Sequence, residues 1–530
     1  MSDALSDLRA SVERAAAALG GTPKVAPALE RPKQADHGDY ATNAAMLLTR
    51  TLARPPGEIA ADLAAALSEE LGPHLECSEV AGPGFLNLTL SDGWHAEALA
   101  GALAAGDAWG RSTPERPRSV NVEFVSANPT GPVHVGGARN AAYGDALARA
   151  LALAGHDVHR EFYVNDYGSQ VVLLGRSVQA RARGEDVPEG GYQGDYVTEL
   201  AGQLPGAAEM EPEELARRAV ALMVDAARAS LERFRVSFDT WFSEKALHED
   251  ARVEHSFDVL AEQGRTYRSD GALWLRTTEL GDDKDRVIER SSGEHTYFAS
   301  DIAYHLDKRE RGFDLLIDVW GADHHGYVAR MLAAFGALGG DPGGLELVIM
   351  QLVSLSEGGR RVSMSKREGE FVTLDDLVEE IGVDAARWYL LQRSHDTTID
   401  LDLDLAKRQS SENPVYYVQY AHARMAAILR EASAAPDPGA PAEALHPSER
   451  ALVRALLAWP AEAAEAAARR APHRIATYVL DLAQTSAAFN RDCKVRGAPS
   501  EAVRVAVCLA TQRTLASALE ALGVSAPDEM

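Results

Sequence analysis

Cysteine is scarce in this 530-residue sequence: Cys77, Cys493 and Cys508 form no Cys-x-x-Cys pair and no Cys/His cluster. That argues against both a disulfide framework and a structural zinc. Long apolar runs are lacking too. None approaches about 18 residues, and the Met-Ser-Asp start has no basic stretch leading into an apolar one. The expectation is a soluble, cytoplasmic protein with no membrane partner. No Gly-x-x-x-x-Gly-Lys-Ser/Thr loop occurs, which disfavours a P-loop nucleotidase. Positive charge is in deficit as well. The 53 Lys and Arg against 79 Asp and Glu leave a net −26, which argues against broad nonspecific nucleic-acid binding. Residues 405–530 are the exception, with 14 Lys and Arg against 13 Asp and Glu. An RNA ligand would therefore need local basic patches.

What is present is an ordinary globular composition, 46% hydrophobic and 25% charged, on a chain long enough for several cores. Residues 1–112 read as a small α+β domain, with helices over 5–19, 42–52 and 58–71 and two short strands within 79–90. Between 113 and 404 strands and helices alternate, the pattern of a parallel sheet with crossover helices. This α/β part reads as a Rossmann-like, doubly wound domain, with ligand expected at the carboxyl ends of its strands. Its strands fall at 119–125, 157–164, 315–320 and 345–353. An inserted segment, about 167–290, is mostly helical to 260 and then carries a hairpin at 272–277 and 286–290. Residues 405–530 turn all-α, with helices over 413–432, 447–470, 472–490 and 498–522.

The richest stretch is 119–158. An alternating Val/Phe strand enters a turn at Asn128-Pro129-Thr130-Gly131-Pro132, and His134-Val135-Gly136-Gly137 then opens an Ala/Leu helix stopped by Gly155. Backbone N–H groups at a helix start favour phosphate, the glycines let a flat base come close, and an imidazole can donate to a phosphoryl oxygen. A second stretch, Ser356 to Gly369, comes after the strand at 345–353 and holds Ser363-Met364-Ser365-Lys366. A glycine-containing loop with a Ser-Lys pair can close over a triphosphate, although alone it is a common surface-loop sequence.

In this order the two stretches resemble the His-Ile-Gly-His and Lys-Met-Ser-Lys-Ser signatures of class I aminoacyl-tRNA synthetases. The resemblance narrows to the arginyl-tRNA synthetase family. Val122-Glu123-Phe124-Val125-Ser126-Ala127-Asn128-Pro129-Thr130-Gly131-Pro132 is similar to its approach to the first signature. Arg367 to Leu374 and Val383 to Trp388 resemble the family's sequence after the second signature, and Asn413 to Arg424 resembles the start of its anticodon-binding bundle. His37 to Asn43 and Gly82-Pro83-Gly84-Phe85 resemble its additional amino-terminal, tRNA-contacting domain. Two positions depart: Gly137 stands for the second histidine of the first signature, and Ser363 for the first lysine of the second. Losing a transition-state donor can cost ~10²–10³ in rate, unless water, Asn140, His324 or His325 substitutes.

The resemblance implies a ligase that activates L-arginine with ATP–Mg²⁺ and passes it to the 3′-terminal ribose of arginine tRNA. It implies His134, Ser365 and Lys366 as catalytic groups, and His134, Gly136, Gly137, His324, Met364 and Lys366 around ATP. Glu123, Ser126, Asn128, Tyr297 and Asp301 would hold arginine. A guanidinium needs planar acceptors, and Tyr297 and Asp301 share a face at i and i+4 if helical; an ordinary surface pair is the alternative. Glu123, inside an apolar strand, calls for a cation, either the substrate or an internal Lys or Arg. The adjacent Asp323-His324-His325 is an unpromising metal site, so no protein-bound metal and no tightly bound cofactor are expected. Tyr416, Tyr420, Arg424, Arg491 and Met530 are candidate tRNA contacts through stacking and phosphate pairing. A monomer is expected. A related synthetase for another amino acid, or a degenerate paralogue that only binds RNA or regulates, are the competing readings.

Overall fold

A computed structural model describes residues 3–20, 25–32, 34, 37–361, 372–439 and 443–530. The amino-terminal part is α+β. Strands β1 (Leu29–Glu30), β2 (Tyr40–Thr42), β3 (Leu75–Ala81) and β4 (Phe85–Leu90) form an antiparallel sheet in the order β1-β2-β4-β3. Leu86, Leu88 and Leu90, two apart on β4, all point into the core shared with helices Ala4–Ala18, Ala44–Leu52 and Pro56–Leu71.

Strands β5 (Ser119–Glu123), β6 (Asp157–Val164) and β7 (Thr240–Ser243) belong to the central sheet. A separate three-stranded antiparallel sheet comes next, made of β8 (Thr266–Ser269), β9 (Ala272–Leu275) and β10 (Arg286–Glu289). The chain then returns with β11 (Leu315–Gly321) and β12 (Leu345–Met350), giving five parallel strands in the order β12-β11-β5-β6-β7. The first strand lies in the middle and the winding reverses between β5 and β11. That is the doubly wound arrangement, and its crevice opens at the carboxyl ends of those two strands. Helix Val135–Leu153 lies directly on β5: a Cβ on Gly144 would come within 2.1 Å of the Phe124 ring.

Several elements differ from the periodicity reading; the helix expected over 447–470 is two, Pro447–Leu457 and Trp459–Ala468, and the strand expected over 119–125 ends at Glu123. β7 falls in a region read as mostly helical; its four residues are too few to show a period, and Trp241 stacks on Phe162 at 4.4 Å to bring it to the sheet edge. The apolar run at 345–353 is two strands. β13 (Val353–Glu357) leaves the central sheet to join β14 (Arg360–Arg361) and β15 (Ile399–Asp402). Helices Ser169–Arg183, Asp195–Gln203 and Pro212–Arg233 form the inserted helical part around their own core, including Leu174, Val197 and Leu215. The hairpin expected at 272–277 and 286–290 is there as β9 and β10, with β8 added on the other side.

Beyond residue 413 helices Pro414–Glu431, Pro447–Leu457, Trp459–Ala468, His473–Asp492 and Glu501–Ala521 make the all-α part. One apolar core runs from Leu8 through Phe124 to Leu519 and joins all three regions. Buried Arg387 reinforces the joint: it donates to Asp145 (2.5 Å) and to the carbonyls of Phe234 and Leu522 (3.0 and 2.8 Å). Arg470 pairs with Glu346 of β12 at 2.7 Å, and Arg450 with Asp92 at 2.7 Å. Among the described residues no helix is long and apolar enough to cross a membrane.

Candidate active site

The first signature segment is built around its histidine. His134 has extended backbone (φ −95°, ψ 169°) and caps helix Val135–Leu153, its Nδ1 accepting from the N–H groups of Gly136 (3.0 Å) and Gly137 (3.4 Å). An acceptor at Nδ1 places the proton of the neutral ring on Nε2, so the imidazole is a donor at its outer nitrogen. Gly136 is what allows this seat, because a Cβ there would lie 2.8 Å from His134 Cε1. At Gly137 a Cβ would lie 3.1 Å from Val133 Cγ1, so a side chain fits only if that valine gives way slightly.

The first signature is hydrogen-bonded to the segment that follows the second. Val135 N–H donates to Val372 O (3.1 Å), Leu374 N–H donates to Val133 O (2.7 Å), and His134 pairs with Thr373 as an antiparallel bridge. Ser363, Met364, Ser365 and Lys366 lie outside the described residues, which end at Arg361 and resume at Val372 beside His134. Thr373 then caps helix Leu374–Leu391 in a reciprocal box with Asp376. Arg139, fully buried one turn into the first helix, donates to the carbonyls of Gln351 (2.6 Å), Ser394 (2.9 Å) and Thr397 (2.8 Å). This fastens the helix to the segments that lead into β13 and β15.

Next to this helix start, an acidic cup opens at the carboxyl ends of β5, β6 and β7. Glu123 ends β5, Tyr163 is near the end of β6, Glu244 comes directly after β7, and Asp301 comes from helix Tyr297–Glu310. Burial and the negative charges of Glu244, Asp301, Glu123 and Asp166 push the Tyr163 phenol up. Glu244 is pushed up to about 7 by burial and by the negative charge of Asp301. Burial likewise raises Asp301, while its hydrogen bond from Tyr327 Oη (2.6 Å) pulls the other way. Among the described residues neither Glu244 nor Asp301 has a Lys or Arg as its charge partner. Tyr297, at the first turn of the same helix, is 65% exposed at the rim.

Glu123 differs from these two, because its cation is internal. Lys308 Nζ donates to Glu123 Oε2 at 2.5 Å, and Ser126 Oγ donates to Glu123 Oε1 at 2.8 Å. Ser126 closes a strained γ-turn: Val125 has φ 70°, Ser126 has φ 41°, and Ser126 N–H donates back to Phe124 O (3.0 Å). Left-handed backbone at a β-branched residue is rare and is typical of substrate-binding turns. Asn128 is exposed just beyond it.

The remaining predicted residues are more dispersed. His324 is exposed on a 3₁₀ turn after β11, its ring 5.7 Å from Trp320. Tyr416, Tyr420 and Arg424 sit four residues apart on helix Pro414–Glu431, with Tyr420 47% exposed and Arg424 exposed. Arg491 is exposed and pairs with Asp492 (2.9 Å), and Met530 is exposed at the chain end. Glu244, Lys308 and Asp318 were missed in the sequence. Asp318, inside Leu-Leu-Ile-Asp-Val-Trp, carries the same warning as Glu123, a carboxylate in an apolar strand. Glu244 sits after too short a strand to give any signal.

The chain resembles known proteins throughout. Residues 99–189 and 199–422 match the family described as "tRNA synthetases class I (R), catalytic domain". Residues 6–90 match "Arginyl tRNA synthetase N terminal domain" and residues 418–530 match "DALR anticodon binding domain". An arginine–tRNA ligase of Frankia alni is 47% identical over 522 residues, covering 95% of this chain and 94% of that protein. One from Kineococcus radiotolerans is 46% identical over 521 residues, covering 95% and 94%. Among solved structures, Thermus thermophilus arginyl-tRNA synthetase superposes with a TM-score of 0.78 at 25% identity, over 99% of both chains.

Proposed function

This chain belongs to the arginyl-tRNA synthetase family, and on that footing we propose how its residues divide the work of activating arginine with ATP and charging tRNA. The observation that carries the division is an acidic pair, Glu244 buried and Asp301 half-buried, with no Lys or Arg partner among the described residues, set beside a histidine-capped helix start. Glu244 and Asp301 take the guanidinium, whose planar donors suit two carboxylates, and Tyr297 closes over it. Ser126 and Asn128 take the main-chain end of the amino acid.

The carboxylate of arginine then attacks the α-phosphorus of ATP in line. A new P–O bond forms, the bond to the bridging oxygen breaks, and pyrophosphate leaves with its electron pair. No protein nucleophile is needed, so the site acts by positioning and by stabilising charge. His134 donates its Nε2 proton to a phosphoryl oxygen, and Gly136 and Gly137 admit the adenosine, with His324 at the nucleotide's edge. Met364, Ser365 and Lys366 come over the triphosphate, where the lysine offsets charge on the leaving pyrophosphate. Mg²⁺ arrives with ATP, held mostly by phosphates and water. In the second step the terminal ribose hydroxyl attacks the arginyl carbonyl and AMP leaves. Tyr416, Tyr420, Arg424, Arg491 and Met530 contact the tRNA. The domains divide as amino-terminal domain 1–112, catalytic domain 113–404 and helical domain 405–530. We read the working form as a cytoplasmic monomer.

The test is charging of purified protein with arginine tRNA, ATP and Mg²⁺. Arginine should be attached, and canavanine should compete better than lysine or citrulline. Preference for lysine, or no charging, would overturn the assignment of the acidic cup.

A further inference from the structure

The arginine reading leaves one group unused: the fully buried ammonium of Lys308. It is held by three elements at once. Nζ donates to Glu123 Oε2 on β5 (2.5 Å) and to Asp318 Oδ1 on β11 (2.7 Å), and lies 4.2 Å from the centroid of the Tyr304 ring on its own helix. Glu123 and Asp318 are direct neighbours in the β5–β11 register, two carboxylates side by side that would repel without a cation between them. Asp318 Oδ2 is joined to His305 Nε2 (2.8 Å), and His305 Nδ1 to the carbonyl of Asp301 (2.7 Å). On the other side Glu123 Oε1 holds Ser126 Oγ (2.8 Å), which also accepts from Tyr163 N–H (3.2 Å). An unbroken chain of hydrogen bonds thus runs from the backbone of Asp301, through His305, Asp318, Lys308 and Glu123, to Ser126.

We propose that Lys308 is a positioning residue that sets the span of the amino-acid site, holding the Ser126 turn at a fixed distance from the helix that carries Asp301. The inference rests on the proposed function, in which Asp301 receives the side chain of arginine and Ser126 its main-chain end. Lys308 touches neither. It has no exposure and its donors are committed to carboxylates on two strands. A buried ion pair is poor evidence for stability, since a well-packed apolar replacement is often neutral, so this cluster is better explained by what it positions. The strained turn at Val125 and Ser126 needs such a tether, because left-handed backbone at these two residues persists only where its surroundings enforce it. The span matters chemically: arginine, homoarginine and the shorter guanidino amino acids differ only in the distance between the same two end groups.

The experiment is steady-state charging by Lys308→Met, Lys308→Arg and the double variant Glu123→Gln/Lys308→Met. The readouts are KM for arginine, KM for ATP, and the ratio of kcat/KM for arginine over homoarginine. Lys308→Met should raise KM for arginine by at least ~30-fold, as expected when one partner of a buried pair is removed, with KM for ATP within about twofold. The arginine/homoarginine ratio should fall. Adding Glu123→Gln should recover part of the KM, since one of the two stranded carboxylates is gone and Asp318 keeps His305, but not the ratio, since the tether is still missing. Lys308→Arg keeps the charge in a longer planar head, so it should fold and still lose discrimination. A uniform loss in both KM values, or a lower melting temperature with an unchanged ratio, overturns the inference. So does an unchanged ratio in Lys308→Arg, which decides the case if Lys308→Met does not fold. Failure of the unsubstituted protein to charge arginine would remove the arginine reading itself, a result distinct from all of these.

Discussion

At the scale of single residues, the proposed site turns on two carboxylates that have no Lys or Arg partner among the described residues. Removing one should be specific in effect. Asp301→Asn and Glu244→Gln are each expected to raise KM for arginine by ~10²-fold while changing KM for ATP little, consistent with losing one partner of a desolvated charge pair. Equal losses for both substrates in a charging assay would point instead to a general disturbance of the site. The raised Glu244 also gives a pH dependence with a definite sign. Its ionised form, which the guanidinium needs, is present above about 7 and is lost as pH falls through that value. KM for arginine should therefore climb between pH 7.5 and 5.5. Because the folded value lies above the unfolded one, Glu244 favours the folded state only at low pH, and that contribution fades as pH rises through about 7. Arginine should accordingly raise the melting temperature more at pH 8 than at pH 5.5, as read by differential scanning fluorimetry.

At the scale of elements, the histidine seat and the strand-like pairing of residues 133–135 with 372–374 are the parts to which the proposed function assigns the ATP chemistry. Gly136→Ala should displace His134, because the added Cβ would lie 2.8 Å from its ring. Losing that donor is expected to lower kcat by ~10²-fold with little change in KM for arginine, measured in the same charging assay. Gly137→His is a milder intrusion, against Val133, and should leave the helix cap in place. Much of this was legible in the linear sequence, where long periodic helices, Val-rich strands and the glycines at 136 and 137 declare themselves. The face shared by Tyr297 and Asp301 was also readable, since both lie within one helix. What was hidden depends on neighbours far along the chain. β7 is only four residues long and becomes a strand because β6 is beside it. Glu244 becomes unusual through its burial and through Asp301, and Glu123 finds its cation 185 residues away in Lys308. Glu123 was suspect as a carboxylate in an apolar strand. Asp318, a carboxylate in the apolar strand β11, obeys the same rule.

At the scale of the whole molecule, one apolar core and several arginines hold the regions together, Arg387 the most deeply buried of them. Arg387 binds the helix of the first signature, the end of the inserted helices and the carboxyl-terminal segment at a single point. Arg387→Met should cost about 3 kcal/mol, because Asp145 and two carbonyls lose a buried partner. Urea unfolding monitored by near-ultraviolet and far-ultraviolet circular dichroism should show the loss. The arrangement of the central sheet also bears on how the protein is born. β5 is the first of its strands to be made, yet it ends up in the middle, and its partner β11 pairs with it from the far side of two intervening segments. At about 5–20 residues per second of synthesis, Glu123 leaves the ribosome roughly 10–40 s before Lys308. During that interval one edge of the nascent sheet is unpaired and its carboxylate has no counter-charge. The same crossing that makes the crevice for catalysis therefore makes the young chain a natural client for a chaperone.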